Sequence, residues 1–213
     1  MEFIAADLAA YADAHTSPES ETLRRLNRDT HAHVLRPRML SGHIQGRFLA
    51  MIAQMIRPRR VLEIGTYTGY SALCLAEGLA PDGRLITLDN NEELADFARS
   101  YWQTTPWAAQ IELRLGQAAA LIPALDEVFD LVFIDADKEN YALYYDLVFD
   151  KVRPGGFILA DNVLWSGKVV QPVKTSDRDT QAVLAFNQKI HHDDRVENVL
   201  LPVRDGLLLV RKR

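Results

Sequence analysis

FDLVFIDADKENYALYYDLVFDKVRPGGFILADNVLW, residues 129–165, contains two apolar runs that each end in an acid: Asp135 after FDLVFI, and Asp161 with Asn162 after GFILA. Continuous apolar runs of this kind are the pattern of strands buried on both faces of a parallel sheet. The two acids stand about 26 residues apart around a helical pattern, which makes the stretch a strand-helix-strand unit. Neighbouring strands then bring both acids to one carboxyl-end rim, where open α/β sheets keep their chemistry. Oxygen donors gathered at such a rim suit a divalent cation.

Moving outward, the alternation continues upstream as far as Arg60. RRVLEIG reads as a strand before a helix over 70–79, GRLITLD as a strand before a helix over 92–102, and IELRLG as a strand before a short helix near Ala118. The first 57 residues show no strand; helices are expected over 19–33, after Thr-Ser-Pro, and over 44–56. Downstream, the polar stretch SGKVVQPVKTSDRDT reads as a loop with the makings of a lid, followed by a helix over 181–191. The closing VENVLLPVRDGLLLVRKR reads as an antiparallel hairpin at one sheet edge. The expected fold is therefore α/β and doubly wound, a seven-stranded, mostly parallel sheet with a reversed final strand and helices on both faces. One domain spanning 1–213 is expected, with a helical segment over 1–57 ahead of a core over 58–213.

Composition narrows the function classes. With 48% hydrophobic and 25% charged residues and a net charge of -5, the chain reads as an ordinary globule, with no electrostatic support for nucleic-acid binding. The lone Cys74 excludes an intrachain disulfide framework and points to a reducing, cytoplasmic setting. The start MEFIAADLAAYADAH lacks the basic and apolar parts of a signal peptide, and no apolar run is long enough to span a bilayer.

VLEIGTYTGYS sets Gly65 and Gly69 between a strand and a helix, where glycine permits a tight turn and close approach to a ligand. A dinucleotide site shows three glycines, whereas this loop has two and carries Glu63 just before the turn, an acid that a pyrophosphate would oppose. A cofactor such as S-adenosylmethionine brings an ammonium and a sulfonium and no phosphate, and so suits an acidic pocket. Asp89, at the end of LITLD, is positioned to accept from ribose hydroxyls. The plain alternative is a strand-helix turn in which Glu63 and Asp89 are solvated strand ends.

Asp135, Asp161 and Asn162 offer only oxygen, which favours magnesium or calcium over zinc. Lys138, three residues after Asp135, is a candidate proton acceptor for a hydroxyl held at that cation. Taken singly, Asp161-Asn162 also reads as a cap or turn and Lys138 as a surface charge. Asn140 is expected to cap the following helix, with Tyr141 and Tyr145 on its inner face and without chemistry. The six histidines show no zinc-ligand spacing, and Gly167-Lys168 lacks the glycine spacing of a phosphate loop.

VLEIGTYTGYS, FIDADKENY and DNVLWSGKVV, with RMLSGHIQGRFL ahead of them and LPVRDGLLLVRK behind, resemble the cation-dependent O-methyltransferases that include caffeoyl-CoA and catechol O-methyltransferases. The resemblance runs from about Arg38 to the end. It implies a Rossmann-like methyltransferase fold and S-adenosylmethionine as donor. Carried onto matching positions, Glu63, Gly65, Thr66 and Ser71 would hold the methionine portion and Asp89 the ribose. Gln117 and Ala118 would lie by the adenine, Asp135 and Asp137 would also touch the cofactor, and Met39 and Ser41 would cover it. Met39 also reads as core, and Ser41 as a helix cap. Asp135, Asp161 and Asn162 match the family's metal ligands, with oxygen donors that magnesium, calcium and manganese all accept, Lys138 matches its general base, and Trp165 a wall of the acceptor pocket, though Trp165 reads equally as core. The implied acceptor is a small phenolic molecule with two adjacent hydroxyls, and the implied assembly is a homodimer.

One departure weakens a CoA-ester acceptor: ALDEVFDLVFID runs directly from helix to strand, where the plant CoA-ester enzymes carry extra residues. Three rivals stay open, namely methyl transfer to another small nucleophile, a nicotinamide oxidoreductase, and a non-catalytic cofactor-binding domain.

Overall fold

The computed structural model describes residues 4–213. In chain order the elements are α1 (Ala6–Ala14), α2 (Glu21–His33), α3 (Gly42–Ile56), β1 (Arg60–Ile64), α4 (Tyr70–Ala76), β2 (Arg84–Asp89), α5 (Ala95–Trp102) and β3 (Ile111–Leu115). They continue as α6 (Ala118–Leu121), β4 (Phe129–Ile134), α7 (Tyr141–Phe149), β5 (Val152–Asp161), α8 (Arg178–His191), β6 (Val196–Leu201) and β7 (Leu207–Lys212). The seven strands form one sheet in the order β3-β2-β1-β4-β5-β7-β6. The pairs from β3 through β5 are parallel, and β7 runs antiparallel to both of its neighbours. The expected hairpin is present, with its second strand inserted next to β5 and its first strand left on the edge.

Alternation along the strands separates two apolar layers. Leu62, Ile64, Val132 and Ile134 pack with Tyr141 and Tyr145 of α7 and Phe186 of α8. Val61, Leu131, Phe133 and Leu159 pack on the other face with Leu49, Ala50 and Ala53 of α3 and with α4 and α5. Burial on both faces explains why β1 and β4 read as unbroken apolar runs. By the same alternation, Glu63 of β1 and Thr87 of β2 face the α3 side, which becomes important below.

Several boundaries move for local reasons. α2 begins at Glu21 because the Ser20 hydroxyl caps it, accepting from Leu23 N at 3.3 Å. The helix expected over 92–102 opens as a 3-10 turn before α5, because the Asn91 side chain accepts from Glu93 N. α8 begins at Arg178, three residues earlier than expected, because Asp177 caps it through Thr180 N. α1 was not expected; it has no buried residue and too weak an apolar stripe to register as a helix. Asn140 occupies the cap position of α7, but its side chain donates to the Asp137 carboxylate and makes no cap bond. No helix among the described residues is long and apolar enough to cross a membrane.

Candidate active site

The carboxyl ends of β1, β2, β4 and β5 open into a cleft of about 1360 Å³. That is larger than a typical single-ligand pocket of roughly 300–1,000 Å³, and leaves room for a cofactor and a second small molecule. Met39, Ser41, Gly65, Thr66, Ser71, Asp89, Gln117, Ala118, Asp135, Asp137, Lys138, Asp161, Asn162 and Trp165 all line it. Glu63, expected at the cofactor, does not line it. It lies fully buried beneath the glycine turn.

The glycine turn is built by close approach. Gly65 has φ +102, and a Cβ there would sit 1.9 Å from the Asp135 carbonyl oxygen, so only glycine lets the β1 end lie against the β4 end. Asp89 is held at the β2 end, its two oxygens accepting from Tyr67 N at 2.7 Å and Asn91 N at 2.9 Å. Glu63 Oε2 accepts from Thr87 Oγ1 at 2.5 Å, whereas its buried Oε1 has no partner among the described residues. Burial pushes the Glu63 carboxyl up to about 8, with the Ser71 and Thr87 hydroxyls opposing the shift. Ser71 approaches this acid without a well-formed hydrogen bond and also faces the cleft. An acid with an orphaned oxygen, one layer below the cleft, would become a countercharge for a cationic cofactor group whose field draws off its proton.

At the rim, Asp161 accepts from Asn162 N through Oδ1 at 2.7 Å and from Gln45 Nε2 through Oδ2 at 2.6 Å. Burial first, and the charge of Asp135 second, raise the Asp161 carboxyl well above its ordinary value. Asn162 is held in the left-handed region at φ +59, a conformation asparagine tolerates better than most residues. Two carboxyl groups on adjacent strand ends, one of them fully desolvated, are a donor set that a divalent cation would stabilise, and the amide of Asn162 adds a neutral oxygen. The residues present therefore fit a hard cation.

Lys138 is buried among acceptors. Nζ lies 3.0 Å from the Ala136 carbonyl and 3.4 Å from Asp135 Oδ1, and it also donates to the Tyr141 hydroxyl. The phenol proton goes to the Asp161 carbonyl at 3.0 Å, so Tyr141 ties the lysine on one strand end to the acid on the next. Nζ also stands 5.7 Å from the centre of the half-buried Trp165 ring. The alternative of a solvated surface lysine does not hold at 6% exposure.

Other assignments sharpen. Met39 is 54% exposed in a turn at the cleft rim, which removes the core reading. Ser41 stands at the cap position of α3 without a side-chain cap bond and lines the cleft. Asp137 accepts from Tyr144 at 2.6 Å and from Asn140, which fixes its carboxylate at the wall. Gln45 and Tyr141 are the site neighbours that sequence reasoning missed. Gln45 follows Ser41 by one helical turn inside RMLSGHIQGRFL, and Tyr141 closes FIDADKENY.

Residues 13–213 match the model of a family described as O-methyltransferase. A probable caffeoyl-CoA O-methyltransferase of Dictyostelium discoideum is 32% identical over 207 residues, covering 95% of this chain and 90% of that protein. The crystal structure of an O-methyltransferase from Bacillus cereus in complex with SAH superposes with a TM-score of 0.89 at 31% identity, covering 97% of each chain. That of TomG from Streptomyces achromogenes, an O-methyltransferase of tomaymycin synthesis in complex with SAM, gives 0.87 at 29% identity over 97% of this chain and 96% of that one.

Proposed function

The chain belongs to the O-methyltransferase family, and we propose that it transfers the methyl group of S-adenosylmethionine to one hydroxyl of a vicinal diphenol with the help of a divalent cation. The observation that carries this reading is that Asp135, Asp161, Asn162 and Lys138 line the same cleft as Gly65, Ser71 and Asp89. SAH and SAM in the related structures support the same donor here.

On this reading Glu63, ionised when the cofactor binds, offsets the cofactor's positive charge from below, and Ser71, Gly65 and Thr66 meet its amino-acid end. Asp89 accepts from the ribose, while Gln117 and Ala118 border the adenine. Met39 and Ser41 cover the cofactor from the α3 side, and Asp137 bounds it from β4. Asp135, Asp161 and Asn162 hold the cation, magnesium in the first instance and calcium or manganese as substitutes. When bound there, the cation would orient both diphenol oxygens, lower the pKa of the hydroxyl to be methylated and offset the paired aspartates. Lys138, in its neutral form, takes the hydroxyl proton, its Nζ held in place by Tyr141 and Ala136. Trp165 walls the ring of the acceptor. Displacement at the methyl carbon requires oxygen, carbon and sulfur in line, so holding both partners in one cleft supplies much of the rate.

We further infer one domain over 1–213, a homodimer with the exposed apolar residues Leu8 and Tyr11 of α1 in its interface, and a cytoplasmic setting matched to the buried free thiol of Cys74. Labelled S-adenosylmethionine offered with a panel of diphenols, monophenols and CoA esters tests the substrate class. Label transfer to diphenols supports it, and transfer only to monophenols or to nitrogen nucleophiles overturns it.

A further inference from the structure

Gln45 is 1% exposed on α3, on a buried face it shares with Gly46, Leu49, Ala50 and Ala53. Packing alone does not call for an amide there, because an apolar residue of the same volume would be buried at lower cost. Its one hydrogen bond to another side chain among the described residues reaches 116 residues along the chain, from Nε2 to Asp161 Oδ2 at 2.6 Å. The other oxygen of the same carboxylate is held by Asn162 N at 2.7 Å. Donors from two different elements, α3 on one side and the β5 continuation on the other, thus fix the rotation of the carboxylate. Each oxygen keeps a further lone pair.

We propose that Gln45 is a positioning residue for the cation site, holding Asp161 Oδ2 so that the carboxylate's remaining lone pairs face Asp135 and the cleft. The proposal rests on the reading of Asp135, Asp161 and Asn162 as cation ligands. The residue type supports the role. A lysine at this position would orient Asp161 but also neutralise it and repel the cation, while a glutamate would present an acceptor to an acceptor. A neutral donor orients the ligand and leaves its charge available. Partners of this kind behind a metal ligand are worth about 10- to 100-fold in metal affinity.

The test is calorimetric titration of Mn²⁺ alone into the full chain, without cofactor or acceptor, comparing wild type, Gln45→Met, Gln45→Asn and Asp161→Asn. Gln45→Met keeps the volume and removes the donor. Gln45→Asn keeps the amide but draws it back by one methylene, which covers the case where methionine disturbs α3. Both should weaken Mn²⁺ by about 10- to 100-fold with S-adenosylhomocysteine affinity unchanged. Their magnesium requirement for turnover should rise, with turnover recovering at saturating magnesium. Wild-type Mn²⁺ affinity in a folded Gln45 variant overturns the positioning role while leaving the ligand assignment intact. Wild type binding Mn²⁺ no better than Asp161→Asn overturns the ligand assignment and Gln45's role with it.

Discussion

Lys138 Nζ lies 3.4 Å from Asp135 Oδ1, inside a pocket where the lysine side chain is 7% exposed and the aspartate 20%. The contact is long for a hydrogen bond and reads as a weak ion pair. It joins the proposed proton acceptor to a proposed cation ligand. Anything that draws Asp135 toward a cation therefore weakens its contact with the lysine.

Lys138→Met should lower turnover by about 100- to 10,000-fold, the range for a general base, with little change in cofactor affinity. Lys138→Arg separates proton transfer from charge, because a guanidinium does not give up its proton in proteins. Recovery of most of the activity by arginine, measured by label transfer at saturating substrates, would assign Lys138 an electrostatic role instead.

Glu63 gives a pH signature. Its carboxyl stands near 8 in the fold against an ordinary 4.5, so between these values the folded state keeps a proton that the unfolded state has lost. Its contribution to stability therefore falls as pH rises through that window. Asp161 shifts in the same direction, so the comparison with Glu63→Gln isolates Glu63. In scanning fluorimetry of the cofactor-free protein from about pH 5 to about pH 9, Glu63→Gln should lose less stability with rising pH than wild type. The same variant should bind S-adenosylmethionine about ten- to a hundredfold more weakly, the value of one hydrogen bond to a charged group. Parallel stability curves would show that Glu63 ionises normally.

Gly65→Ala should be disproportionately damaging. The added carbon would meet the Asp135 carbonyl at 1.9 Å in a backbone conformation with φ +102, and neither neighbour is a flexible side-chain end. A loss of more than about 2 kcal/mol in urea unfolding is expected, with cofactor and metal binding weakened together because the β1 and β4 ends move apart. Retention of either affinity would mean that the turn does not set the spacing of the site.

Much of this was legible in the sequence because strand ends carry their chemistry with them. The apolar runs before Asp135 and Asp161 required adjacent strands, and the parallel pairing of Val132 with Ile158 and Ile134 with Ala160 bears this out. Glu63 read as a cofactor contact from its place before Gly65, yet its alternation toward the α3 side buries it below the cleft. Gln45 escaped because no local pattern reports a bond across 116 residues. Tyr141 escaped for a different reason: its ring satisfies the apolar face of α7, packing edge-on with Phe186, and that masks the hydroxyl between Lys138 and Asp161. The insertion of β7 beside β5 was equally silent, since a hairpin pattern does not say which of its strands meets the sheet.

The central claim is most directly tested by methyl transfer from labelled S-adenosylmethionine to a catechol-type acceptor in excess EDTA, followed by readdition of magnesium. Turnover should vanish under chelation and return with the metal, and Asp161→Ala should stay inactive in both conditions while still binding the cofactor. Undiminished transfer in excess EDTA would contradict the cation assignment of Asp135, Asp161 and Asn162.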